Sequence, residues 1–242
     1  MRFLSVGDRA LTVEFGDRID RAVSRRVLRL DRAIRAATPV GVVETVPSFR
    51  SLMVHYDPLS TSRAELEKTI AALAGGDDDS AAEARRWRVP VCYEGEYAPD
   101  LDEVSRLTGL DAAEIVALHS GIDWHVYMLG FLPGFPYLGD LPTQLALPRR
   151  ADPRLRVPAG SVSIATTLTA IYPYESPGGW HLIGATPIRF FNSERRPPAL
   201  LAAGDAVTFE PIGADRFTAI RARVEADDFR PESEPIATWN QD

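Results

Sequence analysis

Ser161-Val162-Ser163-Ile164-Ala165-Thr166-Thr167-Leu168-Thr169-Ala170-Ile171-Tyr172-Pro173-Tyr174-Glu175-Ser176-Pro177-Gly178-Gly179-Trp180-His181-Leu182-Ile183 is the stretch on which the fold turns. It holds three short β-like runs, Ser161–Ala165, Ala170–Tyr172 and Trp180–Ile183, too short for helices and separated by residues that favour turns. The same rhythm continues through Ile188–Phe191, Ala206–Glu210 and Phe217–Val224, alternating with proline and glycine. Many short strands at this spacing imply a closed or sandwiched all-β domain.

The N-terminal region reads differently. Arg2–Val6 and Ala10–Phe15 are short strands around Gly7-Asp8, with Leu11, Val13 and Phe15 at period two. Ile19, Val23, Val27, Leu30 and Ile34 then form one apolar stripe on a helix over Asp17–Ala37, which Pro39 ends. Strands at Val40–Val46 and Leu52–Tyr56 precede a helix over Ser62–Ala74, capped by Thr61 or Ser62 with Glu65 in its first turn. The order ββαββα suits an antiparallel sheet carrying two helices on one face. The fold class is therefore α+β. We expect residues 1–76 as this small domain, 77–86 as linker, 87–230 as the β domain and 231–242 as a frayed tail. Within the second domain, Arg88–Tyr93 reads as a strand, followed by short helices at Asp100–Leu107 and Asp111–His119.

Several classes of function drop out. The 242 residues can bury a real core. No uncharged apolar run approaches the roughly 18 residues of a membrane helix, and the charged N-terminus lacks a signal-like apolar stretch, so the chain is expected in the cytoplasm without membrane attachment. A net charge of −7 argues against nucleic acid as the main partner. The arginines of helix Asp17–Ala37 read as a solvated face. Cys92 stands alone, which excludes an intrachain disulfide, and the four histidines are not spaced as metal ligands.

Of the 17 glycines and 19 prolines, 7 and 8 fall in three tracts between Gly130 and Gly184. In Gly130–Pro142, Pro133 and Pro136 remove backbone donors that a phosphate loop needs, while Phe131, Phe135 and Tyr137 alternate as a groove lining or as core. In Pro148–Ser161, the loop arginines Arg149, Arg150, Arg154 and Arg156 suit a carboxylate or phosphate clamp, or surface ion pairs; spacing alone does not separate the two. In Ile171–Gly184, Tyr172, Glu175, Ser176 and His181 place a phenol, an acid, a hydroxyl and an imidazole beside Gly178 and Gly179, where a ligand backbone can come close. No nucleophile elbow surrounds Ser176, so a self-sufficient serine hydrolase is not expected.

Taken together, His119, Tyr127–Gly139, Pro148-Arg149-Arg150, Pro153-Arg154, Val157–Val162 and Tyr172-Pro173-Tyr174-Glu175-Ser176-Pro177-Gly178-Gly179-Trp180 resemble the allophanate hydrolase subunit 1 family. That family includes the B subunit of bacterial 5-oxoprolinase and a sporulation histidine-kinase inhibitor. The resemblance implies a cyclophilin-like β-barrel for the second domain. It also implies work in a hetero-oligomer with the A and C subunits of 5-oxoprolinase, the latter of the allophanate hydrolase subunit 2 type, hydrolysing 5-oxoproline to glutamate with ATP. The nucleotide, with Mg as its companion ion, would lie on this chain or on a partner.

Under that resemblance Glu175, His181 and Tyr172 are the candidate catalytic residues. Arg149, Arg150, Arg154, Arg156, Gly160, Ser161, Ser176, Gly178 and Gly179 are the candidates for holding substrate or phosphate. Phe131, Phe135, Tyr137 and Trp180 would form an exposed partner interface. Where relatives usually carry Gly, Gln and Gly before Ile-Tyr-Pro, this chain has Thr166, Leu168 and Ala170, restricting positive φ and removing an amide. Other readings are a protein-binding inhibitor of a sensor histidine kinase, an allophanate hydrolase subunit 1 and, on fold alone, a prolyl isomerase.

Overall fold

The computed structural model describes residues 1–76 and 84–236. The chain divides into two compact units, Met1–Ala82 and Glu83–Asp242. In the first, β1 (Arg2–Val6), β2 (Ala10–Glu14), α1 (Arg21–Ala37), β3 (Val42–Pro47), β4 (Ser51–Tyr56) and α2 (Arg63–Ala74) follow the ββαββα order. The sheet is antiparallel, in the order β1-β2-β4-β3. Period-two alternation turns Leu11, Val13, Leu52 and Val54 to one face, and both helices bury Val27, Leu30, Ile34, Leu66 and Ile70 against it. Helix α1 starts later than its apolar stripe suggested, because the Asp20 carboxylate accepts from the N–H groups of Ala22 and Val23. Ser62, not Thr61, caps α2, in a capping box with Glu65.

The second unit contains β5 (Arg85–Cys92), α3 (Leu101–Thr108), α4 (Ala112–Ser120), β6 (Asp123–Leu129), β7 (Pro136–Gly139), β8 (Arg154–Val157), β9 (Ser161–Ala165), β10 (Leu168–Ile171), β11 (Ser176–Gly178), β12 (His181–Ala185), β13 (Ala206–Ile212), α5 (Ala214–Glu225) and β14 (Ser233–Pro235). Neighbours follow the order β12-β9-β10-β7-β6-β13-β5, and a bridge between Cys92 and Ala185 joins β5 back to β12. The result is a closed barrel. Its interior is apolar and includes Val89, Val91, Trp124, Val126, Ile164 and Phe209. Strands β8 and β11 form a separate two-stranded ribbon.

His119 lies in this core. Its Nδ1 is 2.8 Å from the Tyr93 hydroxyl and its Nε2 2.9 Å from the Thr169 hydroxyl, and its ring stacks on Phe209 at 4.6 Å. Complete burial pushes its pKa down to about 3, so the ring is neutral.

Several expectations need correction. Phe217–Val224 is helix α5, not a strand: Phe217, Ile220 and Val224 recur at helical spacing and pack around Cys92 and Ile212. Ile188–Phe191 makes only an isolated bridge, Phe191 to Ala199. The strand expected from Arg88 begins at Arg85, inside the proposed linker 77–86, of which residues 77–83 lie outside the described ones. The expected frayed tail is ordered at Ser233–Pro235, which pairs with Arg85–Trp87 and is pinned by Arg85 to Ser233 and Arg86 to Glu234; residues 237–242 lie outside the described ones. Among the described residues no helix is long and apolar enough to cross a membrane, and no group of three or more His, Cys, Asp or Glu is placed to hold a metal ion.

Candidate functional site

Two of the three proline- and glycine-rich tracts meet at Phe135, just before β7. Its ring centroid lies 5.4 Å from Phe131, 5.0 Å from Tyr137, 5.1 Å from Tyr172 and 6.5 Å from Trp180, mostly edge to face. These are the separations that aromatic quadrupoles favour. Phe135, Tyr172 and Trp180 are buried, Tyr137 half-buried and Phe131 exposed. Four aromatics are therefore a floor rather than an exposed interface, and only Phe131 stands out from it, on backbone with φ of 67°.

Arg149 is the cation over that floor. Its guanidinium sits 6.0 Å from the centre of the Trp180 ring, and the residue is exposed. Burial pushes the phenol pKa values of Tyr137 and Tyr172 up, the latter to about 12, while the charge on Arg149 pulls both back. Both phenols therefore stay protonated at neutral pH. They can donate hydrogen bonds but not act as resting bases.

The other loop arginines are already engaged. Arg154 donates to both oxygens of Asp100, at 2.8 and 2.5 Å. Arg150 donates to Asp100 at 3.2 Å and to Glu103 at 2.5 Å. Arg156 donates to Glu175 at 2.8 Å, on the surface. Spacing left a clamp and ion pairs open for this set; three of the four are ion pairs, and among the described residues Arg149 alone makes none. Asp100 was missed because its place at the start of α3 reads as a cap. Its side chain makes no cap hydrogen bond and serves the arginines and the Leu182 N–H instead, the latter at 2.7 Å.

The glycines shape backbone. Gly160 has φ of 84°, a Cβ there would overlap the Thr186 carbonyl oxygen, and its N–H donates to the Tyr172 carbonyl at 2.7 Å. A Cβ on Gly178 would run into the Tyr172 hydroxyl, with its Cζ only 2.8 Å away. The Gly179 carbonyl accepts the Arg150 N–H at 2.8 Å. Ser161 is buried at the start of β9, its carbonyl accepting from Tyr172 N–H, and the Ser176 hydroxyl donates to the Pro177 carbonyl at 3.3 Å.

His181 is buried on β12, and its Nε2–H donates to the Pro148 carbonyl at 3.1 Å. A carbonyl only accepts, so Nε2 carries a proton there, while Nδ1 is buried with no hydrogen-bond partner among the described residues. Glu175 faces Arg156 rather than this imidazole, and Ser176 and His181 are not hydrogen-bonded to one another. The fold thus unites Phe135, Tyr137, Tyr172, Trp180 and Arg149, uses Arg150 and Arg154 to hold the loop, and turns Glu175 with Arg156 to the surface.

The comparisons with known proteins agree with this architecture. Residues 1–201 match the family model described as carboxyltransferase domain, subdomain C and D. The chain is 37% identical over 230 residues to a Bacillus subtilis (strain 168) protein named as the B subunit of 5-oxoprolinase, spanning 89% of this chain and 95% of that one. It is 41% identical over 210 residues to an Escherichia coli O157:H7 protein of the same name, spanning 85% and 94%. Among solved structures, TTHA0988 superposes with a TM-score of 0.77 at 37% identity, over 85% of this chain and 40% of that one, so this chain spans well under half of that molecule. The ordered motifs, the closed barrel and the match over residues 1–201 together make this chain a member of the carboxyltransferase domain, subdomain C and D, family.

Proposed function

We propose that this chain is the B subunit of a cytoplasmic, ATP-dependent 5-oxoprolinase that opens the 5-oxoproline lactam to L-glutamate together with the A and C subunits. The observation that carries the reading is the near full-length identity to proteins named as that B subunit. The site supports it chemically. A small substrate with one carboxylate needs one unengaged cation beside a flat apolar surface, and Arg149 above Trp180 provides that. Tyr137 and Tyr172 supply phenols that stay protonated and can donate to a substrate oxygen.

The same residues do not fit a triphosphate. Arg150, Arg154 and Arg156 are engaged with carboxylates and the Gly160 N–H with the Tyr172 carbonyl. We therefore propose that ATP and its Mg are held by one of the partners. An unstrained lactam is a poor electrophile, and the nucleotide supplies the driving force for opening it.

Purified A, B and C subunits, incubated with ATP and 5-oxoproline, should release glutamate, and any set lacking this chain should not. Absence of glutamate from the complete set overturns the reading. Turnover of allophanate in its place moves the chain to the allophanate hydrolase subunit 1 reading.

A further inference from the structure

A cavity of about 580 Å³ opens elsewhere in the second unit, between the start of β5, the segment 188–200, and the chain running from the end of α5 to β14. None of the aromatic-floor residues lines it, and the wall from α5 onward lies beyond the family match at residue 201. Its volume suits a small organic ligand. Four guanidinium groups, of Arg85, Arg189, Arg195 and Arg230, face two carboxylates, of Glu194 and Asp227.

The charges are poorly matched. Asp227 is paired with Arg230 at 3.1 Å. Arg195 donates only to the carbonyls of Phe190, Pro197 and Pro198 and meets no anion, whereas Arg85 donates its guanidinium to the hydroxyl and carbonyl of Ser233 and acts on the Asp205 carboxylate, which its backbone N–H also binds at 2.9 Å. Arg189 is exposed and makes no hydrogen bond or close ion pair with any described residue, its charge acting on Asp227 from a distance. Burial and the neighbouring Arg230 and Arg189 push the Arg195 pKa down, as expected where like charges crowd. Trp87 and Phe229 add aromatic rings to the lining, with the Arg85 guanidinium 5.8 Å from the centre of the Trp87 ring and that of Arg223 5.3 Å from the centre of the Phe229 ring.

We propose that this cavity is a binding site for a small organic oxyanion, its phosphate or carboxylate head held by Arg189 and Arg195 and its flat apolar body set against Trp87. Guanidinium forks match such heads geometrically, and the aromatic rings would be wasted on an inorganic ion. The inference concerns this chain alone and stands independently of its assignment to 5-oxoprolinase.

Calorimetric titration of the full chain with phenyl phosphate, phenylacetate and inorganic phosphate tests it. Phenyl phosphate or phenylacetate should saturate one site at least about tenfold more tightly than inorganic phosphate, and whichever is tighter identifies the head. Arg189→Ala should weaken that binding by about tenfold, the loss of one charge-assisted contact, and Arg189→Lys by less. Arg149→Ala should leave it unchanged. No saturable binding at millimolar ligand, equal binding to the Arg189→Ala protein, or loss of binding in Arg149→Ala overturns the proposal.

Discussion

Arg154 grips Asp100 with both arms of its guanidinium, Nη1 to Oδ2 at 2.8 Å and Nη2 to Oδ1 at 2.5 Å, and the aspartate side chain is only 4% exposed. Arg150 and the Leu182 N–H complete its shell. This carboxylate ties the arginine loop to β12 and so sets where Arg149 and His181 stand. Asp100→Ala would leave the partly buried Arg154 without its anion and Arg150 with Glu103 alone. It should cost about 3 kcal/mol of stability, the range for breaking a buried pair from one side. Urea unfolding measures this, and a midpoint unchanged from wild type refutes the role.

Gly178 and Tyr172 form a second constraint, steric rather than electrostatic. Gly178→Ala puts a Cβ against the phenol hydroxyl and within 2.8 Å of Cζ, so the ring must move, and Phe135 with it. Loss of stability should be partly relieved in the Gly178→Ala/Tyr172→Phe double variant, because the oxygen is the closest obstacle. A double-mutant cycle reads the coupling. Purely additive effects would show that the two do not touch.

What local pattern could and could not disclose follows from the range of the interactions. Period-two alternation in β2 and β4 and the stripe on α1 are local, and they placed the first unit correctly. The proline- and glycine-rich tracts located the aromatic floor for the same reason. Asp100 meets its arginines across 50 and 54 residues, and the barrel closes at the single pair Cys92 and Ala185, so neither leaves a local signature. Helix α5 was misread because Phe217, Ile220 and Val224 bury one side of a short apolar run, where helix and strand patterns coincide.

His119 gives the protein a pH dependence. Its pKa falls from an ordinary 6.5 to about 3 on burial, so the unfolded chain takes up a proton that the folded one refuses. The sign follows: the native state has its full stability above pH 6.5 and loses it as pH falls from there towards 3, by up to about 1.4 kcal/mol per unit. His119→Asn should be less stable at pH 7, through lost packing on Phe209, yet show a flatter profile between pH 6.5 and 4. Equal slopes for the two proteins in chemical denaturation would show that His119 is not the group responsible.

Thr166 sits at φ of 56° in the turn between β9 and β10, where the family pattern has glycine. A threonine is strained in the left-handed conformation through its Cβ, by about 1 kcal/mol. Thr166→Gly should therefore raise stability by a similar amount, less the entropy that glycine adds to the unfolded chain. A lower melting temperature for Thr166→Gly would mean that the Thr166 hydroxyl bond to the Ala165 carbonyl outweighs the strain.

Arg149 separates binding from folding. It makes no ion pair with the described residues and its side chain is exposed over Trp180, so Arg149→Ala should unfold at nearly the wild-type midpoint. In the assembled 5-oxoprolinase it should lose at least tenfold in kcat/KM, about 1.4 kcal/mol, chiefly through KM if the guanidinium holds the substrate carboxylate. Arg149→Lys keeps the charge but not the planar fork, and should recover part of the loss. Arg150→Ala, by contrast, should act through stability, because that guanidinium is already bound to Asp100 and Glu103. Equal activity of Arg149→Ala and wild type at limiting 5-oxoproline would remove Arg149 from the site and, with it, the aromatic floor as the place where substrate binds.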